Sequence, residues 1–196
     1  MALTTGEGDA AQLALALAGD RDAFRVLVER HSRTLFRLAF RMTGNEQDAE
    51  EVVQEAFLRA YRRLDRFESR ANFGTWVYRI AVNCSLDLLR RRKPQEELRA
   101  PDDRDTGDEA VLDIATTAPA PDRLALSGEI GEQLNIALTK LSPMERAAFM
   151  MRHDQGMSIE EIARVLGTSM NATKNSVFRA VQKLRQELEP LVSRKR

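Results

Sequence analysis

Residues 158–188 read SIEEIARVLGTSMNATKNSVFRAVQKLRQEL. Ser158 followed three residues later by Glu161 is a capping box: the hydroxyl and the carboxylate each satisfy an orphan amide at a helix start. Ile162, Ala163, Val165 and Leu166 follow, and Gly167 ends this short helix, because glycine enters the left-handed backbone conformation without a Cβ penalty. Ser169 caps a longer helix whose apolar stripe is Thr173, Val177, Ala180, Val181, Leu184 and Leu188. The small Ala163 lets the two helices approach, and Gly167, four residues on, permits the tight turn. The stretch predicts a helix-turn-helix. Its outer face holds Asn171, Lys174, Asn175, Ser176, Phe178, Arg179, Gln182 and Lys183. These are donors and acceptors suited to base edges, with cations for phosphates. A plain helical hairpin with a solvated face is the competing reading. The cap chemistry, the Ala–Gly spacing and the basic face weigh against it.

Upstream, Leu124, Ile130, Leu134, Ala137, Leu138 and Leu141 form a helical stripe. Ser142-Pro143-Met144-Glu145 is a second helix start, with proline at the first helical position and a further capping box. Residues 95–122 differ: carboxylates dominate, Pro101, Pro119 and Pro121 interrupt, and periodicity is poor. This composition predicts an acidic, flexible linker. The chain is therefore expected to be all-α, two small helical domains at 1–94 and 123–196 joined by that linker.

The first domain begins with a short helix over 9–18, stopped by Gly19. Asp20 or Asp22 caps the next, with Ala23, Phe24, Leu27, Val28, His31, Leu35, Leu38 and Ala39 on its apolar face, and Gly44 terminates it. On that stripe His31 reads as a packing histidine. Asn45 caps a third helix, with Ala49, Val52, Val53, Ala56, Phe57, Ala60 and Leu64 inward. The opposite face carries Glu50, Glu51, Gln54, Glu55, Leu58, Arg59 and Arg62, a solvated face interrupted by one leucine. Asn72 caps a fourth helix with core positions Phe73, Trp76, Val77, Ile80, Ala81, Cys84 and Leu88. Across Phe67–Lys93, aromatics interleave with Arg70, Arg79, Arg90, Arg91, Arg92 and Lys93, a pattern suited to stacking unpaired bases and following a phosphate backbone. Asn83 lies off the apolar stripe, in mid-helix, where asparagine is a poor helix former.

Thirty basic side chains balance thirty acidic ones, so any affinity for nucleic acid must come from segregation of charge. One cysteine excludes an internal disulfide and points to a reducing, cytoplasmic setting. Two histidines and that cysteine offer no metal-ligand spacing, and no carboxylate cluster or phosphate loop suggests an enzyme. No cofactor, metal or membrane insertion is expected.

Four motifs in order then resemble those of a bacterial extracytoplasmic-function (ECF) sigma factor, a minimal group IV member of the sigma-70 family. They are Asp48-Ala-Glu-Glu-Val-Val-Gln-Glu-Ala-Phe57, the block of Phe67 and Phe73–Asn83 with its Leu-Leu-Arg-Arg-Arg-Lys end, Leu141-Ser-Pro-Met-Glu-Arg146, and Ser158-Ile-Glu-Glu-Ile-Ala163 leading to Phe178-Arg-Ala180. The resemblance implies that Asp48, Glu51, Gln54, Glu55, Leu58 and Arg62 contact core RNA polymerase at its β′ clamp helices, with the β flap as a further contact of the protein. It implies that Phe67, Arg70, Asn72, Arg79, Asn83, Arg90 and Arg91 serve the −10 element of promoter DNA, the 67–73 loop holding a flipped base that Asn83 helps recognise. It implies that Ser169, Asn171, Lys174, Asn175, Ser176, Phe178, Arg179 and Lys183 serve the −35 element. An anti-sigma factor is the implied regulator. A stand-alone helix-turn-helix regulator is the alternative, although it has no need of the aromatic and basic block at 67–93.

Overall fold

The computed structural model describes residues 6–67, 72–92 and 128–193. The expected linker, Leu124, Arg70, Lys93 and the basic C-terminal residues lie outside these. The described residues form eight helices: α1 (Gly6–Leu17), α2 (Arg21–Thr43), α3 (Glu46–Arg62), α4 (Phe73–Arg92), α5 (Gly128–Thr139), α6 (Pro143–Asp154), α7 (Ile159–Leu166) and α8 (Met170–Ser193). A single 3-10 turn, Leu64–Arg66, follows α3, and the described residues contain no strand.

Local chemistry sets most boundaries. Asp20 accepts hydrogen bonds from the Asp22 and Ala23 amides to start α2, and Gly44 ends it with φ of 84°. Asn45 caps α3 through the Asp48 amide. Both predicted capping boxes form, at Ser142–Glu145 and Ser158–Glu161. The first helix starts earlier than its apolar residues predict, at Gly6. Asp9 on its first turns is buried, bonded at 2.8 Å to His31 Nε2 and at 3.2 Å to Arg30. A long-range polar pair thus fastens α1 across α2, and His31 is the satisfied packing histidine that its position predicts.

α2, α3 and α4 pack pairwise into the first core, around Leu27, Leu35, Leu38, Val52, Ala56 and Val77. Fully burying one such leucine contributes about 1.5–3 kcal/mol. Ala147, Met150, Met151 and Ile162 anchor the second core among α5–α8. The expected single stripe of α4 proves incomplete. Phe73, Val77, Ala81, Cys84 and Leu88 are buried, Trp76 and Ile80 only partly so. Tyr78, Val82 and Leu86, off the stripe, are buried too. The reason is a second covering layer: α6 and α7 pack on α4 while α5 and α6 pack on α2.

Arg146 of α6 is the centre of this packing. Only 7% exposed, it donates through Nη1 to the carbonyls of Met42 at 2.6 Å and Arg41 at 3.4 Å, and through Nη2 to those of Thr139 at 2.9 Å and Leu141 at 3.1 Å. Arg41 and Met42 close α2, and Thr139 closes α5. One guanidinium therefore caps two helix C-termini, where unpaired carbonyls and the dipole both favour a cation. Burial pulls its pKa below the usual arginine value, a cost the four carbonyls offset. Arg41–Asp154 and Arg79–Glu161, each 3.3 Å, border the same seam. Replacing Arg146 with methionine should lower unfolding free energy by roughly 2–5 kcal/mol, since four buried acceptors lose their donor at once. Urea titration followed by circular dichroism checks this, and a loss within error of zero would contradict the double-cap account.

Candidate nucleic-acid interface

The helix-turn-helix is built as its residues predict. Ser158 donates its amide to Glu161 at 2.9 Å and accepts the Glu161 amide at 3.2 Å. These bonds from Ser158 hold the Glu161 carboxyl below the ordinary carboxylate range. Gly167 turns the chain at φ of 65°, and Ala163 is buried where α7 meets α8. On α8, Asn171, Lys174, Asn175, Phe178 and Arg179 are exposed, while Thr173, Val177, Ala180 and Leu184 face inward. Ser176 is half-buried. Phe178 holds its ring 42% exposed, and Met170, which sequence reasoning passed over, is exposed on the same helix one turn before Lys174. Spacing of four residues from Met170 to Lys174 to Phe178 would have found it.

Two expected members of this face are otherwise engaged. Ser169 accepts the Ala172 amide at 3.1 Å, so its hydroxyl serves as the helix cap. Lys183 donates to both carboxylate oxygens of the buried Glu145, at 2.8 and 3.1 Å. Its side chain remains 46% exposed while its ammonium pairs with that buried carboxylate. The partner lies 38 residues away in α6, beyond the reach of any pattern within α8.

A groove runs between α3 and α4, lined by Glu51, Gln54, Glu55, Leu58, Arg59, Asp87, Arg90 and Arg91. Leu58 is 51% exposed at its edge. Acidic residues of α3 meet the basic end of α4 here: Glu51 with Arg91 at 3.1 Å, and Arg59 with Glu55 at 2.6 Å and Asp87 at 3.0 Å. Side chains expected to serve two different partners thus line one groove. Asp48 does not belong with them as an outer contact. It is buried, bonded at 2.7 Å to Asn45 and paired with Arg92, because the chain folds α4's basic end over the start of α3. Arg62 is exposed near the far end of α3.

The segment preceding α4 is aromatic at its base. Phe67 packs against Trp76 and Phe73 with ring centroids 5.1 and 6.1 Å apart, and Phe73 meets His31 and Phe24 at 5.4 and 6.5 Å. Phe67 is consequently buried and its ring is not open to a ligand. Asn72 accepts the Gly74 amide at 2.8 Å and caps α4 as expected. Arg79 is held by Glu161 across the seam, Asn83 is half-buried, and Arg90 is exposed beside Asp87. Cys84 is a core thiol whose pKa burial pushes up to about 11, which makes it a poor nucleophile.

Comparison with known proteins follows this division. Residues 27–95 match the family model for sigma-70 region 2, and residues 131–184 match the model for sigma-70 region 4. The chain is 31% identical over 173 residues to the ECF RNA polymerase sigma factor SigW of Bacillus subtilis, covering 88% of this chain and 92% of that protein. It is 32% identical over 194 residues to the RNA polymerase sigma-H factor of Pseudomonas aeruginosa, covering 97% and 98% respectively. Among solved structures, CnrH in complex with the cytosolic domain of CnrY is similar with a TM-score of 0.58 at 29% identity, covering 93% of this chain and 97% of that one. The two regions define a sigma-70-type protein. The chain belongs to the ECF RNA polymerase sigma factors. As such it directs core RNA polymerase to promoters, in a family that is not enzymatic in general. No helix among the described residues is long and apolar enough to cross a membrane.

Replacing Lys183 with methionine should destabilise the C-terminal helices by about 1–3 kcal/mol, because the buried Glu145 side chain would lose a donor to both its oxygens. Thermal unfolding monitored at 222 nm measures it; the Glu145→Gln, Lys183→Met pair should recover part of the loss.

Proposed function

We propose that the promoter-directing activity is divided between the two halves of the chain, 1–94 and 123–196, with the boundary in 95–122. The outer face of α8 reads the −35 element through Asn171, Lys174, Asn175, Phe178 and Arg179, with Ser176 at its margin. The observation that carries this is the orientation of α8: one side is packed on α6 and α7, while the other presents amides, cations and an exposed ring together. The α3 face of Glu51, Gln54, Glu55, Leu58 and Arg62 docks on core polymerase. Asn83, Arg79, Arg90, Arg91 and the segment from Arg70 to Asn72 handle the −10 element. Extruding a base costs a few kcal/mol of stacking, which the capture segment must return. The chain supplies no catalytic step and works in the cytoplasm.

The packed arrangement of the two halves suits a held state better than a working one. Elements centred about 25 base pairs apart are separated by roughly 85 Å along B-DNA at ~3.4 Å per pair. A compact chain of this size has a radius of gyration of about 16 Å, so a closed body cannot reach both. Residues 93–127 could bridge more than ~100 Å when extended, which permits separation. Release of the Arg146 and Arg79 contacts therefore precedes promoter binding. CnrH, similar in fold, was solved with the cytosolic domain of another protein bound. By analogy an anti-sigma partner holds the present chain closed, and promoter use follows its removal.

Glu55→Arg combined with Leu58→Asp should weaken binding to core polymerase at least about tenfold, equivalent to ~1.4 kcal/mol. Pull-down against core enzyme measures that loss, and undiminished binding would count against the docking face. Asn83→Ala should change −10 preference in run-off transcription while leaving core binding intact. Equal loss of both would make Asn83 structural.

A further inference from the structure

Met170 is the most exposed large apolar side chain among the described residues, at 54%. A lone methionine on a surface needs no account, but this one stands at a position with consequences. It is the first residue of α8, directly after the Ser169 cap. It lies at the margin between the buried stripe that begins at Thr173 and the outer face of Asn171, Lys174 and Asn175. It takes no part in the apolar core. The fold closes this turn by polar bonds instead. The Thr168 and Thr173 hydroxyls meet at 2.9 Å, Thr173 donates to the Ser169 carbonyl at 3.0 Å, and the Thr168 amide reaches the Ala163 carbonyl at 3.0 Å. Pairs from Lys183 to Glu145 and from Lys140 to Glu187 anchor the later turns of α8. Of its first six residues, only Thr173 is buried.

In a helix-turn-helix the leading residues of the second helix meet base edges in the major groove. Most of what a base edge offers there is a hydrogen-bond donor or acceptor; the apolar exception is the C5-methyl group of thymine. The exposed polar neighbours of Met170 suit the first kind. Asn171 and Asn175 match the N6/N7 edge of adenine, and Lys174 an acceptor on guanine or a phosphate. A thioether suits only the second. Its sulfur is a weak acceptor and it has no donor, while its unbranched chain moulds to an apolar group. We propose that Met170 is a specificity-determining residue of the −35 contact, closing over the C5-methyl of one thymine and so favouring A·T at that base pair. The proposal rests on the −35 reading of α8 above. Cytosine in place of that thymine would set the thioether against an amino donor with no methyl to cover. Phe178 is also exposed, but it lies two turns further on, about 12 Å along the helix at 1.5 Å per residue. That distance puts the two apolar side chains on different base pairs.

The test uses holoenzyme reconstituted from core polymerase and the full chain, on a promoter that wild-type holoenzyme selects from a library randomised at −35. Each −35 thymine, on either strand, is replaced singly by deoxyuridine, which keeps the base pair and removes only the methyl. Affinity is read by anisotropy of the fluorescein-labelled duplex. One such replacement should weaken wild-type binding about fourfold, equal to ~0.8 kcal/mol for one buried carbon. Met170→Ala should bind the thymine duplex about fourfold more weakly than wild type and lose nothing further with deoxyuridine at that site. A cycle of this kind isolates the contact between side chain and methyl. A selected element without thymine, or wild-type binding that no deoxyuridine weakens, would overturn the contact. So would a deoxyuridine penalty that persists in full in Met170→Ala, since it would then belong to DNA shape or to another residue. Lys174→Ala with Arg179→Ala tests the −35 reading separately. That variant should weaken binding to the selected promoter but not to one with a scrambled −35 element. Unchanged binding to both would sink the −35 reading and the contact with it, whereas a failure confined to Met170 leaves that reading standing.

Discussion

Everything in the relation between the two halves of this molecule depends on one buried guanidinium. Arg146 supplies donors to carbonyls at the ends of α2 and α5, helices from opposite sides of residues 93–127. A buried cation is costly unless acceptors meet its protons; helix-end carbonyls meet both Nη groups here, while the buried Nε has no partner. The same contact that completes the C-terminal core therefore joins it to the N-terminal bundle. Arg41–Asp154 and Arg79–Glu161 extend the seam but lie closer to solvent, where such pairs are weak. The seam thus combines one buried polar anchor with packed apolar side chains such as Tyr78, bordered by weaker ion pairs.

The seam also explains how α4 serves two masters. A helix packed on one side only would show one apolar stripe. α4 carries a first stripe toward α2 and α3, and a second group, headed by Tyr78, toward α6. Tyr78 is so removed from water that its hydroxyl titrates well above the usual tyrosine range, with Asp154 adding to the shift. Arg79, next in sequence, is tied to Glu161.

Much of the fold was legible because its signals are local. Capping boxes, the glycines at 44 and 167, and the stripes of α2, α3 and α8 need only a few neighbouring residues to act, so spacing alone reveals them. The outer face of α8 was legible for the same reason. Other engagements were not legible because they are not local. Asp48, Lys183 and Phe67 each have a partner that lies outside the pattern of their own segment. Asp48 meets Arg92, Lys183 meets Glu145, and Phe67 rests on Phe73 and Trp76.

Sequence by itself determined the helices, their caps, the helix-turn-helix and the family, since these follow from chemistry within a turn or two and from the order of four motifs. Tertiary structure alone decided which charges are spent inside the molecule and that Arg146 fastens one half to the other. The physical reason is that burial and pairing depend on which surfaces meet, and no periodicity within one helix records what the next one will cover.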